Sequence, residues 1–354
     1  MLAFDDGRLD DPALLAARGE RLRQLALAGA RLRRALVLAD LDALARTAAD
    51  FRPRALIALG PEARLVRAVA EPTCRVPVVA WSRPGLPAWV GPLDLVLTVS
   101  AEPDDGSDPA EEALRRDAAA ETADGRDPTG QALRRGTVVF AVGAGADPAP
   151  HLAAGRSLAR VATGTTDAFV NATIALAGLE RLGLVPAGQL QPVADGLDAV
   201  AQECSPHTPL GSNPAKDMAV CLADTSPLLW GGTVLADRAC RRLAETIRQV
   251  SRRLALAAEA SALVPLLAAA TPPDPFADPF LDPAQTISYC LVSLDDASDD
   301  PLVRHQRRRL EALAESHGVR VARLVYGQGS ALQRYACLLQ HGLFAAAFLE
   351  LGLV

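Results

Sequence analysis

The sequence predicts an α/β protein: two doubly wound, parallel-sheet domains with an N-terminal helical segment. Three observations lead there. Short apolar runs such as residues 54–60 and 93–100 alternate with stretches of helical periodicity, the pattern of a parallel sheet covered on both faces. The scheme occurs twice along 354 residues, a length suited to two domains. A segment rich in Gly and Pro at 183–192 (Gly183, Pro186, Gly188, Pro192) separates the halves.

Residues 12–50 read as helix, with Leu14, Leu15, Leu22, Leu25, Leu32 and Leu36 at helical spacing. Residues 54–60 are the first strand, 62–70 a helix, and 76–81 and 93–100 the next two strands. Residues 110–120 are helical and 136–142 form a fourth strand. After a Pro-rich turn the chain is helical up to 182, with the Gly-Thr-Thr-Asp run at 164–167 capping that helix. In the second half, residues 213–222 form a helix with Asn213 at its N-cap and Pro214 in its first turn. Residues 227–231 are a strand and 234–256 a long helix. The five prolines of 271–283 exclude regular structure there. A strand at 286–294, a helix at 301–317, a strand at 319–326 and a closing helix at 330–351 follow. The expected domains are 1–185, with the N-terminal helices, and 186–354.

Composition narrows the function. With 36 basic and 42 acidic residues the net charge is −6, whereas a general nucleic-acid or anionic-membrane binder needs a basic surplus. The longest apolar stretches, 261–270 and 343–354, are broken by Pro265 and Glu350 and fall short of the ~18 residues of a membrane span. The first eleven residues are acidic and carry no hydrophobic signal core. A soluble, cytoplasmic protein is expected. Cys74, Cys204, Cys221, Cys240, Cys290 and Cys337 show no zinc-ligand or C-x-x-C spacing, so reduced, buried thiols are expected and no metal. Lys216 is the only lysine; the preference for arginine reflects a GC-rich coding sequence.

No cofactor is expected. Gly143-Ala144-Gly145 follows a strand, but the third glycine of a dinucleotide fingerprint is missing and Pro148 and Pro150 interrupt the helix start that would hold pyrophosphate. The histidines His151, His207, His305, His317 and His341 are scattered. His317 before Gly318 closes a helix, His305 sits among arginines on a solvated face, His207 lies in a Pro-rich loop beside Glu203, and His341 faces either core or pocket.

Several short runs stand out in order: Asn213-Pro214-Ala215-Lys216-Asp217-Met218-Ala219, Pro227-Leu228-Leu229-Trp230-Gly231, Arg241-Arg242-Leu243-Ala244, and Gly329-Ser330-x-Leu332-x-Arg334 leading to Leu338-Leu339-Gln340-x-Gly342. In this order and spacing the chain resembles the bifunctional phosphoglucose/phosphomannose isomerases, which have two sugar-isomerase (SIS) domains. Leu86-Pro87-x-Trp89-Val90-Gly91 and Leu93-Asp94-Leu95-Val96 ending at Ser100 are similar to that family's approach to its first sugar-phosphate loop. The chain looks most like a divergent actinobacterial branch. The resemblance implies two SIS-like domains, the second of the C-terminal type, and proton transfer between C1 and C2 of a sugar phosphate. It also implies a homodimer, to which the apolar end of the closing helix, residues 344–354, would supply part of the interface.

That chemistry needs loops whose N–H and hydroxyl groups hold phosphate, a carboxylate base, and a histidine that helps open the ring. The family's first loop, Gly-Gly-Ser, is here Gly60-Pro61-Glu62. Its second, Ser-x-Ser-Gly-x-Thr, is replaced over residues 100–108, where only Ser100 fits and four carboxylates oppose a dianion. The position of the catalytic glutamate corresponds to Gln249. The segment 265–283, where the family's histidine would lie, has none, and the C-terminal lysine is also missing. Three readings follow. A relocated isomerase site would use Ser100, Lys216, Ser330 and Arg334 as ligand-binding residues and Glu203 or Glu245 as base. Alternatively, a lapsed SIS protein binds a sugar phosphate or nucleotide sugar as a sensor, or the chain is a scaffold for enzymes of mannose-phosphate metabolism.

Overall fold

The computed structural model describes residues 3–42, 45, 51–100, 127–145, 158–188, 190–270 and 287–353. The chain falls into two compact units: Ala30–Leu190, and Met1–Gly29 together with Gln191–Val354. The sequence expectations for residues 101–108, 110–120 and 271–283 lie outside the described residues.

The Ala30–Leu190 unit is built on five parallel strands: β1 (Leu56–Leu59), β2 (Val78–Trp81), β3 (Leu95–Val99), β4 (Val138–Gly143) and β5 (Leu158–Ala162), in the order β2-β1-β3-β4-β5. The helix α3 (Ala28–Leu38) leads into it, and α4 (Ala63–Ala70), α5 (Pro128–Arg134) and α6 (Ala168–Arg181) follow β1, precede β4 and follow β5. Central strands are apolar on both faces: all four residues of β1 are buried. Ile57, Leu59, Val96 and Val139 form one core with Leu86, Val90 and Ala132. The strand β5 corrects the sequence expectation, which ran helix from the Pro-rich turn to residue 182. Its five residues carry Arg160 in the middle and sit at the sheet edge, so only pairing with β4 distinguishes them from loop.

The second unit has four parallel strands, β6 (Ser226–Trp230), β7 (Leu256–Ala257), β8 (Tyr289–Asp295) and β9 (Arg320–Val325), in the order β7-β6-β8-β9. Around them lie α1 (Pro12–Arg18), α2 (Glu20–Ala26), α7 (Gln191–Glu203), α8 (Pro214–Leu222), α9 (Val234–Ser251), α10 (Ala260–Ala268), α11 (Pro301–Ser316) and α12 (Ala331–Gly352). Asn213 caps α8 as expected, accepting from Ala215 and Lys216 N–H at 3.0 and 3.1 Å. His317 is the C-cap of α11. Two helices, α7 and α10, were not anticipated, and the long helix expected over 234–256 stops early. Arg252 takes a left-handed conformation (φ 55°) and ends α9, which frees Leu256 and Ala257 to pair with β6.

The 22-residue α12 is long and apolar enough to span a membrane by composition and length. In this fold it is the core of its unit: it packs against α2, α7, α8 and α9, and Phe344, Phe348, Leu349 and Leu351 are buried. This corrects the expectation that residues 344–354 offer a dimer interface, because that apolar surface is spent inside its own unit.

The N-terminal segment also groups differently from the expected 1–185 domain. Phe4 bridges Leu353, Asp5 N–H donates to Gly352 O at 2.9 Å, Arg21 pairs with Glu350 at 2.8 Å and Gln340 donates to Leu25 O at 3.0 Å. The tightest tie is Lys216. Its side chain is fully buried, and the ammonium meets Asp10 Oδ1 at 2.5 Å, Pro206 O at 2.7 Å and Thr208 O at 2.8 Å, above the Phe348 ring. Three donors meet three acceptors. Lys216 is the buried member and Asp10 is 53% exposed, so removing the Asp10 charge leaves a buried ammonium without its counter-charge, at a cost of about 3 kcal/mol. Asp10→Asn should therefore destabilise this unit in urea unfolding by up to about that amount, with Lys216→Met losing less because it removes the charge that needs compensating and leaves Asp10 to solvent. An Asp10→Asn change within ~0.5 kcal/mol of wild type, as for a surface position, would refute the tie.

Candidate functional site

In open parallel sheets ligands bind outside the carboxyl ends of the strands, where the strand order reverses. Among the described residues there are two such places: between β1 and β3 in the first unit, and between β6 and β8 in the second.

At the first, the turn Gly60-Pro61-Glu62 leaves β1. Gly60 adopts φ 103°, and a Cβ there would run into the Val99 carbonyl, so the close approach of the β1 and β3 ends requires glycine. Pro61 removes one N–H donor. Glu62 is the N-cap of α4, buried, with no side-chain capping bond. A carboxylate thus occupies a helix start, the place that otherwise favours a phosphate. Across the gap, Ser100 is exposed, and its backbone is fixed: its N–H donates to Val142 O at 2.9 Å and its O accepts from Asn171 Nδ2 at 2.8 Å. Asn171 is fully buried, also donates to Thr165 O at 3.1 Å, and accepts from the Thr163 hydroxyl. Asp167 caps α6, as the sequence suggested.

At the second, Gly231-Gly232-Thr233 leaves β6 and opens α9. Gly232 has φ 82°, and a Cβ would strike the Trp230 ring at 2.6 Å. The Gly231 and Gly232 N–H groups converge as an anion-binding nest does, but both donate to Asp237 Oδ1, at 3.2 and 2.9 Å. The protein's own carboxylate fills the position. Burial pushes the Asp237 carboxyl above its usual range, while the two glycine N–H groups pull it back. Beside it, the Thr233 hydroxyl donates to Asp296 Oδ2 at 2.7 Å and Arg334 donates to Asp296 O at 3.2 Å. Asp295, at the end of β8, is held by Arg307 at 2.6 Å, Arg323 at 2.5 Å and the Ala297 N–H at 2.8 Å.

Within the second unit the sequence-selected residues engage separate partners. Arg334 reaches the second crevice, with Ser330 as the N-cap of its helix. Lys216 is engaged by Asp10 and two carbonyls. Glu245 is exposed on α9 and pairs with Arg242 at 3.1 Å; Gln249 is exposed in its last turn. Glu203 at the end of α7 meets the buried His341 of α12, Oε2 to Nε2 at 3.1 Å, and the other ring nitrogen lies 2.8 Å from Cys337 O. Near that pair the Cys337 thiol is pushed up to about 11 and the Tyr326 phenol up to about 12, mainly by burial, so both are neutral at pH 7. Sequence reasoning missed Asn171, Asp237, Asp295 and Arg307. A carboxylate one turn into the helix after Gly-Gly-Thr was a usable signal for Asp237. The others required knowing the strand pairing.

Residues 211–350 match the family profile of the bacterial phospho-glucose isomerase C-terminal SIS domain. No curated protein matches the chain. Among solved structures, the hypothetical protein TT0462 from Thermus thermophilus is similar at 16% identity over 99% of this chain and 94% of that one, TM-score 0.53. A provisionally assigned tagatose-6-phosphate ketose/aldose isomerase from Clostridium novyi NT is similar at 12% identity over 96% and 91%, TM-score 0.54. The C-terminal domain of glucosamine-fructose-6-phosphate aminotransferase from Francisella tularensis is similar at 11% identity over 93% and 95%, TM-score 0.53. At these identities the shared property is the fold: two α/β units with parallel sheets.

The Asp237 nest has a pH signature. Because the folded state raises this carboxyl above the ordinary 3.8, it holds the proton more tightly than the unfolded chain, and stability from Asp237 is lost as pH rises through the folded value. Asp237→Asn keeps an oxygen for both glycine N–H groups and carries no charge to desolvate. The variant should be at least as stable as wild type at pH 7, with its advantage closing below the ordinary carboxylate value. Urea midpoints across pH check this; a variant weaker by ~1 kcal/mol at pH 7, a lost hydrogen bond's worth, would contradict it.

Proposed function

We propose, for a chain whose residues 211–350 match the bacterial phospho-glucose isomerase C-terminal SIS domain, that it is a carbohydrate-derivative-binding protein, a sugar-phosphate sensor without aldose–ketose isomerase turnover. The observation that carries this reading is Gly60-Pro61-Glu62: the buried carboxylate of Glu62 stands at the helix start where the resembled family presents a small hydroxyl residue to phosphate. The SIS lineage supports the ligand class, and exposed Ser100 across the gap is the family-like residue that remains. In this reading the protein acts in the cytoplasm as a homodimer, through a surface other than the buried end of α12. Serving as a scaffold for enzymes of mannose-phosphate metabolism is compatible with the same lapsed site.

One observation favours a second reading. The Glu203–His341 pair supplies the two group types that proton transfer and ring opening require, and Glu203 is half-exposed. A relocated isomerase would place the base there.

Two measurements separate the readings. Ligand binding to the native state raises stability by mass action, so glucose 6-phosphate, mannose 6-phosphate or fructose 6-phosphate should raise the melting temperature where inorganic phosphate and the free sugars do not. No shift from any sugar phosphate would sink the sensor. A coupled assay on fructose 6-phosphate should give no turnover. Turnover near the ~10 s⁻¹ typical of enzymes, abolished by Glu203→Gln, would establish the relocated isomerase instead.

A further inference from the structure

The loop between β2 and β3 returns the chain to the amino ends of the strands, opposite the crevice of this unit. There Trp89 is 49% and Leu93 62% exposed, beside exposed Ala88 and Pro92. The backbone beneath them is pinned from several sides. Asp94, fully buried, accepts from Gly91 N–H at 2.9 Å and from Arg54 Nε and Nη2 at 3.1 and 2.8 Å. Arg54 Nη2 also donates to Trp89 O at 3.0 Å, Arg135 Nη1 to Pro87 O at 2.7 Å, and the Thr137 hydroxyl to Gly91 O at 3.1 Å. Leu86 and Val90 anchor the same loop in the core. Two large apolar side chains are thus held out to solvent on a fixed frame, and core packing explains neither. Arg54 and Arg135 reach this loop, and exposed Arg52 stands two residues before Arg54. Within segments 51–55, 86–94 and 134–137 Asp94 is the one carboxylate, and it lies beneath the surface.

We propose that this end of the first sheet docks an acidic segment of a partner protein, which seats an apolar side chain against Trp89 and Leu93 and sets its carboxylates against Arg52, Arg54 and Arg135. Exposed apolar patches rimmed by polar groups mark protein contacts, and Trp and Arg are residues on which binding energy concentrates. A pinned loop loses little conformational freedom on binding. Charge selects the partner. The chain as a whole carries −6, so an acidic segment is repelled in general and attracted to this end. A second copy of this chain fits poorly, because a two-fold contact sets the same arginines against each other. Single-stranded nucleic acid calls for successive aromatic platforms, whereas here one Trp stands beside an aliphatic Leu. The surface lies at the opposite end of its sheet from the Gly60 turn, so the proposal is independent of the sugar-phosphate reading.

The test pans a random-peptide display library on the full chain and counter-selects on Trp89→Ala. Survivors should be rich in Asp and Glu around a Leu or Phe. A synthesised survivor should bind Trp89→Ala about tenfold weaker than wild type, bind Arg52→Glu several-fold weaker, and weaken as salt rises. Trp89 and Arg52 are exposed, so melting temperatures should not change; Leu93→Ser repeats the test should Trp89→Ala unfold. No peptide surviving counter-selection, or survivors that are basic or lack acidic residues, would overturn the proposal. So would binding of oligothymidylate, or self-association in light scattering, that Trp89→Ala abolishes, since the surface would then belong to nucleic acid or to a second copy.

Discussion

The C-terminal unit depends on a buried ammonium. Lys216 leaves water entirely, which is tolerable only because Asp10 and the carbonyls of Pro206 and Thr208 surround its three N–H groups. One of those partners comes from the N-terminal segment and two from the loop between α7 and α8. The requirement to satisfy one charge therefore fixes where both pieces of chain lie. Contacts of Phe4, Asp5 and Arg21 with the end of α12 continue the same seam. The helices α1 and α2 thus fold with the second sheet, although the chain reaches the first sheet sooner.

Both strand-end crevices carry a carboxylate of the protein itself near the helix start. Glu62 stands at one helix start, Asp237 accepts the glycine N–H groups at the other, and Asn171 ties Ser100 to the ends of β4 and β5. Backbone donors that meet an internal carboxylate are not available to a phosphate, and a resident negative charge raises the cost of bringing in another. At the second crevice the backbone donors meet the protein's own carboxylate. The carboxylate–imidazole pair of Glu203 with His341 lies on α7 and α12 rather than at a strand end.

Spacing alone reads all six cysteines as inert buried thiols, and burial does hold Cys204 up to about 12 and Cys337 up to about 11.

The sequence by itself determined the α/β class, most strands, and the helix starts at Asp167, Asn213 and Ser330, because apolar periodicity and capping act over a few neighbouring residues. It also made the degenerate Gly60-Pro61-Glu62 loop legible, since a lost N–H and an added carboxylate are properties of the residues themselves. Only the tertiary structure decided that β5 and β7 are strands, that Lys216 is a structural tie, that the end of α12 is core, and that Asp237 fills its own nest. Each of those depends on a partner distant in sequence, or on a short edge segment with too few residues to declare its period. Local chemistry fixes an element; which element satisfies a buried charge is set by the whole chain.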